Sequence, residues 1–190
     1  PNLDMVRPAD ANETAYAWKT ILERRNNPAG IALSRQNLPV FDRANADATG
    51  VTFAPASHTS KGAYVLADAS NAKPEVILIA TGSEVQLAVA AREQLEAQGI
   101  ATRVVSAPCL EWFDEQSAEY RESVLPSSVK ARVSVEAGLA LGWSKYVGGF
   151  GRSVSIEHFG ASADYKTLFR EFGMTVENVV AAAHDSIKSL

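Results

Sequence analysis

A chain of 190 residues, 46% hydrophobic and 21% charged, has the balance of a globular protein with a sizeable buried core. Its formal net charge of −4 leaves no electrostatic case for nucleic acid or an anionic membrane surface, and its single cysteine, Cys109, excludes an internal disulfide and a cysteine-ligated structural zinc. No apolar run approaches the ~20 residues a membrane helix needs and no signal-peptide pattern opens the chain, so a cytoplasmic protein with no membrane partner is expected.

The chain opens with Pro1 and enters the strand-like DMVRP (4–8) almost at once, the beginning expected of a truncated or proteolysed product. Asp10 and Glu13 have the spacing of a capping box, and Ala15, Trp18 and Leu22 then fall on one face of a predicted helix. Ile31 to Leu33, after the turn signals Pro28 and Gly30, reads as a buried strand, which closes a parallel, right-handed βαβ unit. From Asp42 to Lys61 the periodicity disappears, and this polar stretch is the expected linker. AYVLAD (63–68) and EVILIAT (75–81) follow. The unbroken apolar run of the second predicts a strand in the middle of a parallel sheet. A helix is expected from the Ser83 and Gln86 capping box to the terminator Gly99, with Leu87, Ala88, Ala91 and Leu95 turned toward the sheet. ATRVVSAP (101–108), ARVSVE (131–136) and RSVSIE (152–157) read as further strands, with a short helix near Glu115 to Ser123. DYKTLFREFG and a closing helix with Val176, Val179, Val180, Ala183 and Ile187 on one face complete the chain.

Ser34 and Arg35 fall at the carboxyl end of a predicted strand, where ligands of parallel α/β sheets bind. A guanidinium there can clamp a phosphate or carboxylate through two parallel N–H donors, and a surface ion pair is the competing reading. The TGSEV turn (81–85) joins a buried strand to a helix start, so its backbone N–H groups are a second candidate anion site. Glu136 and His158 each follow a strand and form a candidate acid–base pair, against a structural role for both. His58 and His184 have no metal-ligand partner at helical spacing, and nothing basic lies near Cys109 in sequence to stabilise a thiolate. Trp112, Phe113, Trp143, Tyr146, Phe169 and Phe172 read as core or interface rather than as a stacking surface.

RPADANE (7–13), LSRQNLP (33–39), KGAYVL (61–66), ATGSEV (80–85), YRESVLP (120–126) and FGAS (159–162) stand in the order found in transketolases. Nearly the whole chain resembles the carboxyl-terminal part of a bacterial member of that family. The resemblance implies an α/β fold: a short βαβ remnant of a pyrimidine-binding domain and its linker (1–55), then a compact three-layer α/β domain (56–190) with a mostly parallel sheet of about five strands. It also implies a homodimeric parent enzyme that uses thiamine diphosphate with Mg2+ or Ca2+ to move a two-carbon ketol unit from a ketose phosphate to an aldose phosphate in the pentose phosphate pathway. The family's glycine-aspartate-glycine metal motif, its cofactor-activating glutamate and its active-site histidines are missing from this sequence. The isolated chain is therefore expected to bind neither cofactor nor metal and to be inactive. The role of the family's SRQN arginine, contact with the sugar phosphate, falls on Arg35, with Ser34 a weaker candidate in the same loop. A non-catalytic α/β module that binds a small phosphorylated metabolite or serves subunit assembly is the alternative.

Overall fold

The computed structural model describes residues 2–47 and 50–190. Strand β1 (Asp4–Val6), helix α1 (Ala11–Glu23) and strand β2 (Ala29–Ile31) form the βαβ unit, with β1 and β2 parallel and in register from Asp4↔Ala29 to Val6↔Ile31. Asp10 caps α1, accepting from Glu13 N at 2.7 Å, but the Glu13 carboxylate reaches back to Ala9 N rather than closing the box on Asp10. The expected inward face of α1 is in fact outward: Ala15 is exposed, Trp18 is 47% and Leu22 73% exposed, while Glu13, Ala17 and Thr20 are buried. Likewise β2 stops at Ile31, which is only partly buried, and Leu33 is 57% exposed, so Ile31 to Leu33 is not a buried strand.

The segment expected to be a loose linker is folded through most of its length, Ala48 and Thr49 lying outside the described residues. Phe41 and Phe53 are buried with ring centroids 5.3 Å apart, Ala46 and Thr52 form an isolated bridge, and a 3-10 turn (Ala56–Lys61) packs on α1. Polar composition misleads here because two aromatic side chains supply the burial that periodicity would otherwise signal. Gly62 ends the turn with φ +82°, and a Cβ there would lie 2.3 Å from both Cys109 O and Phe113 N. Only glycine permits that turn and that approach together.

Strands β3 (Tyr64–Ala67), β4 (Val76–Ala80), β5 (Thr102–Ser106), β6 (Ala131–Val135) and β7 (Arg152–Val154) form one sheet in the order β3-β5-β4-β6-β7, parallel throughout except for β3. β4 lies at the centre and is buried along its whole length. Its side chains alternate between the two faces as the pleat requires. Val76, Leu78 and Ala80 face helices α2 (Val85–Ala97) and α7 (Val176–Lys188), in a core with Ala88, Leu95, Val179 and Ala183. Ile77 and Ile79 meet Phe113, Val124, Trp143 and Tyr146 on the opposite face, where α3 (Leu110–Asp114), α4 (Ala118–Val124) and α5 (Ser144–Val147) lie. The result is the expected three-layer α/β domain.

Helix α2 ends as its sequence predicts: Gly99 has φ +82° and Ile100 N reaches Leu95 O at 2.9 Å. Its start differs. Residues Gly82–Glu84 form a 3-10 turn, Glu84 occupies the cap position without a side-chain cap bond, and Gln86 Nε2 reaches only Ser83 O, so the Ser83 and Gln86 box does not form. The short helix expected near Glu115 to Ser123 is α4, capped by Ser117, and α3 precedes it unannounced by the sequence. The expected strand 152–157 ends at Val154, and α6 (Tyr165–Glu171) precedes α7. No helix among the described residues is long and apolar enough to cross a membrane.

Candidate functional site

Arg35 lies four residues beyond the carboxyl end of β2 and is exposed, with no hydrogen bond or ion pair among the described residues. It lines a cleft of about 520 Å³ between two parts of the chain: Arg35 and Gln36 on one side, residues 161–165 and Leu168 on the other. Ser34 points elsewhere. Its hydroxyl donates to Gln36 O at 3.1 Å, and it borders a neighbouring cleft of about 370 Å³ with Pro8, Asp10 and Thr14. Gln36 is common to both clefts. A bare guanidinium at a strand end, facing space large enough for a small molecule, is suited to a bidentate anion.

The wall opposite Arg35 is pinned at both ends. His158 Nδ1 lies 2.7 Å from Phe159 O and its ring meets Phe172 edge to face at 4.6 Å. Asp164 caps α6, with Oδ1 accepting from Lys166 N and Thr167 N, each at 3.1 Å, and Oδ2 from Thr167 Oγ1 at 2.6 Å. The Thr167 contacts hold the Asp164 carboxyl below its ordinary value.

At the carboxyl end of the five-stranded sheet, the crevice where such folds bind ligands is filled by the chain itself. Arg7, the residue after β1, accepts at its main-chain O from Gly82 N at 3.0 Å, and its own N–H donates to Pro108 O at 2.7 Å. Its guanidinium bridges two carboxylates: Nη2 donates to Glu84 Oε2 at 2.9 Å and Nη1 to Glu136 Oε1. Glu84 is fully buried and also accepts from Ala137 N at 3.1 Å, while Trp143 Nε1 donates to Glu136 Oε2 at 2.7 Å. Burial pushes the Glu84 carboxyl up, against the pull of Arg7. The TGSEV turn therefore carries an internal carboxylate where a bound anion was a candidate. Nor do Glu136 and His158 form an acid–base pair: Glu136 is committed to Arg7, Thr81 and Trp143, and His158 to Phe159 and Phe172.

A second buried contact joins α1 to the sheet. Glu13 is fully buried and accepts from Tyr64 OH at 2.6 Å, Ser106 Oγ at 2.7 Å and Ala9 N at 2.8 Å, and Arg43 from the connecting segment donates to Asp10 and Tyr64. Burial raises the Glu13 carboxyl against those three donors. The sequence does not single out Arg7, Glu13 and Glu84 as a constellation, because 77 residues separate Arg7 from Glu84 and no local pattern joins them. His58 packs edge to face on Tyr64, and His184 Nε2 lies 2.8 Å from Gln98 Oε1. Cys109 is buried, and desolvation pushes its thiol up, away from the thiolate.

Two family models match this chain: the transketolase pyrimidine-binding domain over residues 1–40, and the transketolase-like C-terminal domain over residues 62–175. The chain belongs to the transketolase family. It is 60% identical to the transketolase of Mycobacterium leprae over 96% of its own length and 26% of that protein's. Among solved structures, the transketolase of Pichia stipitis in complex with sedoheptulose 7-phosphate superposes with a TM-score of 0.85 at 40% identity, and that of Leishmania mexicana with 0.87 at 38%. Each match covers 99% of this chain, which spans about a quarter of the length of those relatives: 25% and 26%.

Against the cofactor of the family, the side chains here do not fit. The buried carboxylates Glu13 and Glu84 are saturated by the chain's own donors, and the described residues hold no cluster of three His, Cys, Asp or Glu suited to a metal ion. No chemical step through thiamine diphosphate can be assigned to residues of this transketolase segment.

Proposed function

We propose that this chain is the carboxyl-terminal quarter of a transketolase subunit and that its direct part in the reaction is to hold the substrate phosphate through Arg35. Residues 1–55 are then the end of the pyrimidine-binding domain and its linker, and 56–190 the carboxyl-terminal domain. The exposed apolar residues Leu3, Met5, Trp18 and Leu22 on the βαβ unit suit a face that the rest of a pyrimidine-binding domain covers. The parent is a cytoplasmic homodimer of the pentose phosphate pathway, transferring a two-carbon unit between sugar phosphates with thiamine diphosphate and Mg2+ or Ca2+. The segment alone is inactive and binds neither.

The observation that carries the reading is the unpaired Arg35 guanidinium facing an open cleft at a strand end. Ser34 supports the loop through Gln36 and does not share the Arg35 cleft. In the complete parent enzyme, Arg35→Ala removes a charge-assisted contact of about 1.5–3 kcal/mol. The expected result is a raised KM for phosphorylated sugars, a partial recovery in Arg35→Lys, and unchanged turnover of an unphosphorylated ketose. Equal losses for both substrate types would overturn the assignment. Titration calorimetry on the 190-residue chain tests the rest: saturable, metal-dependent thiamine diphosphate binding at micromolar levels would refute inactivity by incompleteness.

A further inference from the structure

The cleft that Arg35 faces has a second wall, and that wall comes from the other domain. Between the two pins, His158 on Phe172 and Asp164 on α6, the loop runs Gly160, Ala161, Ser162, Ala163. Ala161, Ser162 and Ala163 all line the cleft opposite Arg35 and Gln36. Of the three, only Ser162 carries a side-chain hydrogen-bond donor, its hydroxyl makes no hydrogen bond within the chain among the described residues, and the other hydroxyl on this wall, that of Tyr165, belongs to a ring packed edge to face on Phe169. The alanines on either side leave the cleft open to an occupant. Asp164 offers no donor, since its carboxylate is spent on the start of α6. A phosphate held by the Arg35 fork still has oxygens to satisfy, and a hydroxyl is the donor type that serves them.

We propose that Ser162 is a specificity-determining residue for phosphorylated substrates: its hydroxyl donates to the phosphate that Arg35 holds, so that the carboxyl-terminal domain supplies the second half of the phosphate site. This rests on the assignment of Arg35 to a substrate phosphate and adds a residue from a different domain to it. It also gives the carboxyl-terminal domain a direct task in substrate choice, since a sugar without a terminal phosphate gains nothing from Ser162. Ser162 sits on an exposed loop and leaves no buried partner behind when truncated, so Ser162→Ala is expected to fold as the parent does.

The test titrates inorganic phosphate and ribose 5-phosphate into the 190-residue chain, followed by amide chemical shifts, with thermal unfolding as the check on folding. Both probes are expected to bind at about millimolar Kd, shifting residues 35–36 and 161–165 together. Ser162→Ala is expected to weaken that binding about 10-fold, Ser162→Thr to retain it, and Arg35→Ala to abolish it. In the complete enzyme, Ser162→Ala is expected to raise KM for a ketose phosphate about 10-fold, with kcat and the turnover of an unphosphorylated ketose unchanged. If Ser162→Ala binds phosphate as tightly as the parent while Arg35→Ala loses it, Ser162 has no part in the site and the assignment of Arg35 stands. If Arg35→Ala binds as tightly as the parent, or if the shifts avoid both walls, the assignment of Arg35 falls and this proposal with it.

Discussion

Arg7 and Arg35 follow the two parallel strands of the same small sheet, and in sequence they look alike: each stands just past a short apolar run. In space they have opposite fates. Arg7 is three-quarters buried, bridging Glu84 and Glu136 in the crevice of the larger sheet, whereas Arg35 is exposed and unpaired beside a cleft. What separates them is the location of carboxylates 77 and 129 residues further along the chain. An arginine after a strand is thus a cation awaiting assignment, and the long-range fold decides whether it receives an internal partner or is left exposed.

The comparison breaks most visibly at Arg7. Arg7→Met leaves the fully buried Glu84 carboxylate without its cation, so unfolding is expected to be easier by about 3 kcal/mol and Tm lower by about 6–12 °C, read by thermal unfolding. A smaller loss than that of a surface substitution would show that the bridge is not what docks β1 on the larger sheet.

Glu13 sharpens the same contact through pH. Its carboxyl is raised in the folded state above the ordinary 4.5, so its contribution to stability is complete below that value and is lost as pH rises through the raised one. The Tm of the parent relative to Glu13→Gln is therefore expected to move against the parent by a few degrees between pH 5 and pH 8, from at most about 1.4 kcal/mol per pH unit. A pH-independent difference would mean that Glu13 is ionised throughout.

Glu136→Gln is expected to cost about 1 kcal/mol, since Arg7 keeps Glu84 and the amide oxygen still serves Trp143 Nε1. Arg35→Ala closes the series, with stability unchanged within about 0.5 kcal/mol in the same melts that register Arg7→Met. A large loss at Arg35 would return it to the role of a structural ion pair.

The parts of the fold legible in sequence are those in which one local signal and the global environment agree. The unbroken VILIA run could only be a central strand, and Gly99 could only stop α2. The misreading of α1 comes from a polar residue buried against other polar residues, as that of the 42–61 segment comes from two buried aromatics. α1 turns Glu13 inward because Tyr64 and Ser106 wait there, 51 and 93 residues away, while Thr20 satisfies its hydroxyl on Tyr16 O within the helix, and the apolar Trp18 and Leu22 are left outside. Periodicity assumes that apolar means inward, and at an interface between domains that assumption inverts. Of the proposed site, Arg35 stands out in sequence by its place after a strand and by the SRQN motif. Its facing wall does not, because nothing local connects residues 161–165 to Arg35 before the chain has folded.

The antiparallel direction of β3 sets where the chain enters the larger domain. Tyr64 pairs with Ser106, so the polypeptide arrives at the very end of the sheet where Arg7 docks. Arg7 and its two carboxylates are in effect a ligand and receptor on one tether, at a local concentration of at least about the millimolar range expected of a flexible link. The pocket between Glu84 and Glu136 can accordingly have a modest intrinsic affinity for a guanidinium and still be occupied nearly all the time.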